Sequence, residues 1–234
     1  MPSEPGLIYA VADVHGHADK LRAMHDAIRR ELREQATREV LLVHLGDYVD
    51  RGPDSAEVLA LLAAGPPIAG VPTVNLMGNH EAMLLGALDR GSELAVGNWL
   101  YNGGLATLES WGVDLDSPAG SWASQIPPEQ LAFVRGLALH HSAGGYLFVH
   151  AGVRPGVPLA RQISHDLLWI REPFLSWGGV LLPEAPELVI VHGHTPVPQP
   201  EVRPNRIGLD TGAGAGRALT CAVLGDGPPR FLQI

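Results

Sequence analysis

Gly46-Asp47-Tyr48-Val49-Asp50-Arg51-Gly52 follows directly on the apolar run 40–45, Val-Leu-Leu-Val-His-Leu. A short apolar run that halts at a glycine reads as a buried strand ending in a tight turn, and the turn fixes the neighbouring carboxylate at one edge of a sheet. The same arrangement occurs on either side of it. The run 7–11 leads into Asp13-Val14-His15-Gly16, and the run 73–77 leads into Gly78-Asn79-His80-Glu81. Helical spacing follows each turn, over 18–34, over 55–64 and from 81 towards 88. Such β-α-β-α-β order implies parallel strands with right-handed crossovers. Ligands of open α/β sheets collect outside the carboxyl ends of the strands, which is where Asp13, Asp47 and Asn79 fall. Carboxylate, imidazole and amide oxygen are donors suited to Mn, Fe or Zn. Val149-His150-Ala151-Gly152 and His192-Gly193-His194-Thr195 add further imidazoles downstream.

The composition sets the frame around these turns. A chain of 234 residues, 46% hydrophobic and 18% charged, is long enough to bury a sizeable core within one domain, residues 1–234. Sixteen basic against 25 acidic residues give a formal charge of −9, which argues against a broad nucleic-acid or anionic-membrane surface. The single cysteine, Cys221, lies in a strand-like run, makes no internal disulfide and is expected in the core. Without a disulfide framework the cytoplasm is the expected compartment. The opening Met1-Pro2-Ser3-Glu4-Pro5 has no basic stretch or long apolar run, so neither a signal peptide nor a membrane span is expected.

Taken in order, the five segments resemble the phosphoprotein phosphatase branch of the calcineurin-like metallophosphoesterases, whose signature runs G-D-x-H-G, G-D-x-V-D-R-G, G-N-H-E, H-[AG]-G and a late G-H. The resemblance spans residues 13–194 and is nearest to the compact bacterial serine/threonine protein phosphatases. Ala12 replaces the usual first glycine. Alanine gives up only easy access to positive φ, so the turn is expected to survive. The resemblance implies an α/β fold, a β-sandwich flanked by helices in α-β-β-α order. A small helical cap is expected at about 91–139, where Trp99, Trp111 and Trp122 lie among glycines. Strand-like runs return at 146–149, 188–191, 206–209, 219–224 and 230–234, the later ones spaced as antiparallel additions.

The resemblance also implies two divalent metal ions, manganese first, with iron or zinc as alternatives. It assigns Asp13 and His15 to one ion, Asp47 to the bridge, and Asn79, His150 and His194 to the other. His80 becomes the acid that protonates the leaving group, with Asp50 as its carboxylate partner. Arg51 and Arg171 become guanidinium clamps on phosphate, whose forked donors match two phosphate oxygens, and Asn79 also counts among the substrate-binding residues. The alternative for Arg171 is a surface ion pair with Glu172 or Asp166. Strand alternation turns His192 away from the face of His194. His44, His140 and His141 are expected in structural roles and Trp169 in packing. The cap holds no ligand or acid candidate, so it is expected to govern substrate choice.

The expected reaction is hydrolysis of phosphoserine or phosphothreonine, with phosphotyrosine as a further substrate, by attack of a metal-bound hydroxide. Phosphorylated proteins or small phosphate esters are the expected partners, and nucleic acid and membrane are not. Two other readings stay open. Symmetrical dinucleoside tetraphosphate hydrolases typically carry G-D-L-V-A-R-G and G-N-H-D, whereas Asp50 and Glu81 match the phosphatase form. A non-catalytic scaffold of the same fold usually loses ligands or the acid, and none is lost here.

Overall fold

The computed structural model describes residues 5–33 and 39–234; the N-terminal residues 1–4 and Glu34, the last residue of the expected first helix, lie outside the described residues. Its strands are β1 (Leu7–Val11), β2 (Val40–His44), β3 (Thr73–Asn75), β4 (His140–Ala143), β5 (Tyr146–Val149), β6 (Val189–His192), β7 (Glu201–Val202), β8 (Arg206–Gly208), β9 (Thr220–Leu224) and β10 (Arg230–Gln233). The helices are α1 (Ala18–Arg33), α2 (Ser55–Ala63), α3 (Asn79–Arg90), α4 (Glu93–Trp99), α5 (Leu105–Trp111), α6 (Pro128–Arg135) and α7 (Ser164–Trp169).

The strands form two five-stranded sheets, ordered β10-β9-β1-β2-β3 and β4-β5-β6-β8-β7. In the first, β1, β2 and β3 run parallel, while β9 and β10 are antiparallel additions. In the second, β5, β6 and β8 are parallel, with β4 and β7 antiparallel at the edges. Alternate residues of a strand face opposite sides of its sheet, and both sides are apolar here. Ile8, Ala10, Val43 and Ala222 meet Phe148, Val191 and Ile207 between the sheets. On the other face, Tyr9, Val11, Leu42 and Cys221 pack against Leu21, Met24 and Ile28 of α1 and Leu59 of α2. The outer face of the second sheet, Leu147, Val149 and Ile190, packs against Leu167, Ile170 and Phe174. These three apolar layers make the α-β-β-α sandwich.

The parallel strands point their carboxyl ends at one rim. β3 ends at Asn75, Leu76 then donating its N–H to His44 O at 2.9 Å and bridging to Ala138, and α3 begins at Asn79, two residues earlier than the spacing suggests. Ala12 is buried, donates its N–H to Thr220 O at 3.0 Å and needs no left-handed backbone. Residues 91–139 are helical as expected, but Trp99, Leu108, Trp122, Ile126 and Val134 belong to the same core as α1 and α2. No helix of the described residues is long and apolar enough to cross a membrane.

One polar pair is buried within this frame. His25 Nε2 lies 2.9 Å from His44 Nε2, and His44 Nδ1 lies 2.8 Å from Asn75 Oδ1. An amide oxygen only accepts, so His44 carries its proton on Nδ1 and takes a second hydrogen bond from His25 Nε2–H. Burial holds His25 down at about 4 and His44 at about 3. The unfolded chain binds these protons near the ordinary histidine value of about 6.5, so it binds more protons than the folded chain below that point. Stability therefore falls as pH drops from about 6.5 towards about 4, by up to about 1.4 kcal/mol per pH unit for each imidazole. Urea midpoints across this range should flatten by up to one imidazole's share in His25→Leu; an unchanged slope would show that the pair is not the source.

Candidate metal centre

The turns after β1, β2 and β3 are tied to one another before any side chain is considered. Val14 and His15 donate N–H to Asp47 O at 3.0 and 2.9 Å, and Gly16 donates to Tyr48 O at 2.8 Å. Glu81, on the first turn of α3, is fully buried and accepts the N–H of Asp47, Tyr48, Val49 and Gly78 at 2.9, 2.7, 3.2 and 2.9 Å. That carboxylate holds a backbone conformation the residues themselves resist. Among the described residues, five non-glycines have positive φ: His15 (46°), Asp47 (53°), Asp50 (73°), Arg51 (71°) and His194 (65°). Each such turn costs on the order of 1 kcal/mol or more and persists only where the surroundings enforce it. All five lie at this rim.

The side chains converge on Asp47. Its Oδ2 lies 3.5 Å from His15 Nε2 and its Oδ1 lies 3.4 Å from His150 Nε2. Asn79 Oδ1 lies 2.9 Å from His150 Nε2 and 2.8 Å from His194 Nδ1. His15 and His150 donate Nδ1–H to Val49 O and Leu45 O, both at 2.9 Å, so the Nε2 lone pair of each faces inward. Among the described residues, two groups of donor atoms within 4.8 Å of one another form: His15, Asp47 and His80, and Asp47, His150 and His194. Asp47 is common to both. Asp13 belongs to neither; its Oδ2 accepts His194 N–H at 3.0 Å while its buried Oδ1 has no hydrogen-bond partner. A Cβ on Gly193 would stand 1.9 Å from that oxygen, so glycine lets the backbone close over it.

Burial pushes Asp13 well above the ordinary carboxylate range, with Asp210 adding repulsion, and pushes Asp47 up likewise, with Asp13 adding to it. Burial also pushes His15 and His150 well down, reinforced by His80 and His194 respectively. It holds His194 at about 3, with Arg171 contributing. Neutral imidazoles, crowded carboxylates and an unpartnered Asp13 oxygen need a positive charge at their centre. Nitrogen and oxygen donors arranged in two groups about one shared carboxylate fit a pair of divalent ions.

Beside this pocket, His80 Nδ1 lies 2.6 Å from Asp50 Oδ2. Arg51 reaches over from the turn, one terminal nitrogen donating to His15 Nε2 at 2.9 Å and the other to His80 Nε2 at 3.0 Å. Arg171 is exposed and contributes its charge to the surroundings of His194 and Asp210. Asp166 is bound instead by Arg154, with two contacts of 2.7 Å, and Glu172 accepts a hydrogen bond from the Ser176 hydroxyl. Trp169 stands edge-on to His194, 6.2 Å between ring centres. His192 turns the other way, against Phe174. Four residues at this rim carry no role in the sequence reading: Glu81 as a backbone clamp, Trp99, Thr107 and Asp210. Asp210 was within reach, because Leu209-Asp210-Thr211-Gly212 repeats the pattern of an apolar run, a carboxylate and a glycine turn.

A model of the calcineurin-like phosphoesterase family matches residues 6–221, and the chain belongs to that family. It is 30% identical over 220 residues to serine/threonine-protein phosphatase 1 of Salmonella typhimurium, covering 92% of this chain and 90% of the relative. It is 29% identical to the symmetrical bis(5'-nucleosyl)-tetraphosphatase of Dechloromonas aromatica, covering 80% of this chain and 64% of the relative. Among solved structures it superposes on a provisionally named diadenosine tetraphosphatase with a TM-score of 0.68 at 23% identity, over 100% of this chain and 96% of the other. A cold-active protein tyrosine phosphatase gives 0.61 at 17% identity, over 97% and 80%. These likenesses make the chain a metallophosphoesterase, a hydrolase with the α/β sandwich of that family.

Glu81→Ala should expose the dependence of the rim on one carboxylate. It leaves four buried N–H groups without an acceptor, which costs about 4 kcal/mol or more. Urea denaturation should show that loss or a failure to fold; a loss below about 1 kcal/mol would mean the turns hold themselves.

Proposed function

We propose that this metallophosphoesterase is a phosphomonoesterase of protein-phosphatase type, acting on phosphoserine and phosphothreonine, with phosphotyrosine as a further substrate. The observation that carries this reading is the His80–Asp50 contact of 2.6 Å, an intact acid dyad beside the metal-binding rim. An alkoxide is too basic to leave unaided, so a phosphoserine phosphatase needs a proton donor there. The relative matched over most of both chains is named for the same activity. Asp13, His15, Asp47, Asn79, His150 and His194 would hold two divalent ions, manganese by preference and iron or zinc otherwise. When bound, such a pair supplies an activated water and neutralises phosphate charge. Arg51 and Arg171 orient the phosphoryl oxygens by forked hydrogen bonds. Asp50 keeps the imidazole of His80 oriented, with its Nε2 turned to the reacting side. The cytoplasm is the proposed compartment.

Dinucleoside tetraphosphate hydrolysis is the second reading, favoured by the nucleosyl-tetraphosphatase relatives. A parallel assay on a phosphoserine peptide and diadenosine tetraphosphate decides between them. Faster turnover of the dinucleotide at equal concentration would reverse the order.

Chelation should abolish activity and a divalent ion should restore it, because the proposed attacking group is a water that only a bound metal would activate. Full activity in verified metal-free protein would refute the metal requirement. His80→Asn should keep its metal content yet lose on the order of 10²- to 10⁴-fold in kcat on phosphoserine peptides, the usual worth of a general acid. On p-nitrophenyl phosphate, whose leaving group departs without a proton, the loss should be distinctly smaller. Equal losses on both would remove His80 from the acid role.

A further inference from the structure

Trp99 closes α4 and is fully buried, although Leu94 before it and Tyr101 after it are 84% and 90% exposed. Its indole N–H lies 3.0 and 3.1 Å from the two carboxylate oxygens of Asp50. Thr107, on α5 and also buried, donates its hydroxyl to Asp50 Oδ1 at 2.7 Å and accepts the Asp50 N–H at 2.8 Å. Between them lies a π turn, Leu100–Gly104, that reaches Arg51 of the second motif. Gly103, at φ 106°, accepts the Arg51 N–H at 3.3 Å through its carbonyl. A Cβ on Gly104 would stand 2.5 Å from the Trp99 ring, so glycine there lets the chain cross the indole.

A buried indole needs one acceptor, and a backbone carbonyl would serve. Here the acceptor is the carboxylate that faces His80, and a second donor from the same insertion joins it. Two fixed donors stop the carboxylate from rotating about its Cβ–Cγ bond. Oδ2 is thereby kept towards His80 Nδ1, while Oδ1 is engaged by Thr107.

We propose that Trp99 and Thr107 are positioning residues for the leaving-group proton, and that residues 91–139 take part in the chemistry through Asp50. The inference rests on His80 being the acid. The insertion supplies none of the candidate metal ligands and not the acid; it acts on the angle and distance at which the imidazole is presented.

The test uses Trp99→Phe and Thr107→Val, with Thr107→Ser as the conservative control, on p-nitrophenyl phosphate and phenyl phosphate. The first two should lose on the order of 10-fold in kcat on phenyl phosphate, within the range that misplacement of a catalytic group causes, and much less on p-nitrophenyl phosphate. Thr107→Ser should stay near the parent. In a His80→Asn background neither substitution should lower the phenyl phosphate rate further, because the effect runs through the imidazole. A second readout is the downfield proton resonance of the His80–Asp50 hydrogen bond, recorded without paramagnetic ions and identified by its disappearance in His80→Asn. It should shift or broaden in Trp99→Phe and Thr107→Val and stay put in Thr107→Ser. Equal losses on the two leaving groups with an unmoved resonance, or losses that add to that of His80→Asn, would overturn the proposal. If His80→Asn alone loses equally on both substrates, the acid assignment fails, and the resonance still reports whether the insertion holds Asp50.

Discussion

Glu81 is the point on which the rim depends. Its carboxylate has no place among the candidate ligands, yet it collects N–H groups from the turns after β2 and β3 and so holds two loops together. Left-handed backbone at Asp47 lifts that carboxylate to the centre, and at Asp50 and Arg51 it turns two consecutive side chains towards the same pocket. None of those conformations is favourable for a residue with a Cβ. A buried anion among backbone donors offsets them, since hydrogen bonds to a charged acceptor are stronger than those to a neutral one.

Much of this was legible in the residues and some was not. Three apolar runs halting at glycine turns place Asp13, Asp47 and Asn79 at one rim, because parallel strands cannot end anywhere else. Of the late runs, β9 and β10 pair antiparallel as their close spacing suggested, whereas β8 joins β6 in parallel. The backbone role of Glu81 was hidden because a Glu at the third position of a helix already has an ordinary explanation as a capping residue. Trp99 and Thr107 were hidden for another reason: their partner Asp50 is about 50 residues away in sequence, and no local pattern announces a long-range hydrogen bond. The insertion was expected to stand apart from the chemistry, and the indole contact to Asp50 ties it to that residue instead.

Charge explains the arrangement of the remaining groups. Asp210 repels Asp13 and Asp13 repels Asp47, and each of the three is pushed up first by burial. The guanidinium groups of Arg51 and Arg171 oppose that repulsion from the solvent side.

His150 follows β5 and Leu45 follows β2, strands of different sheets, and the hydrogen bond between them crosses the seam of the sandwich. Asp13, His15, Asp47 and Asn79 lie before position 80, whereas His150 and His194 lie at or beyond position 150. During synthesis the leading segment emerges with every donor of the first group, His15, Asp47 and His80, but the second group around Asp47 waits for His150 and His194. A partly made chain therefore presents no finished cage, and tight retention of a metal pair reports that both sheets have closed on each other.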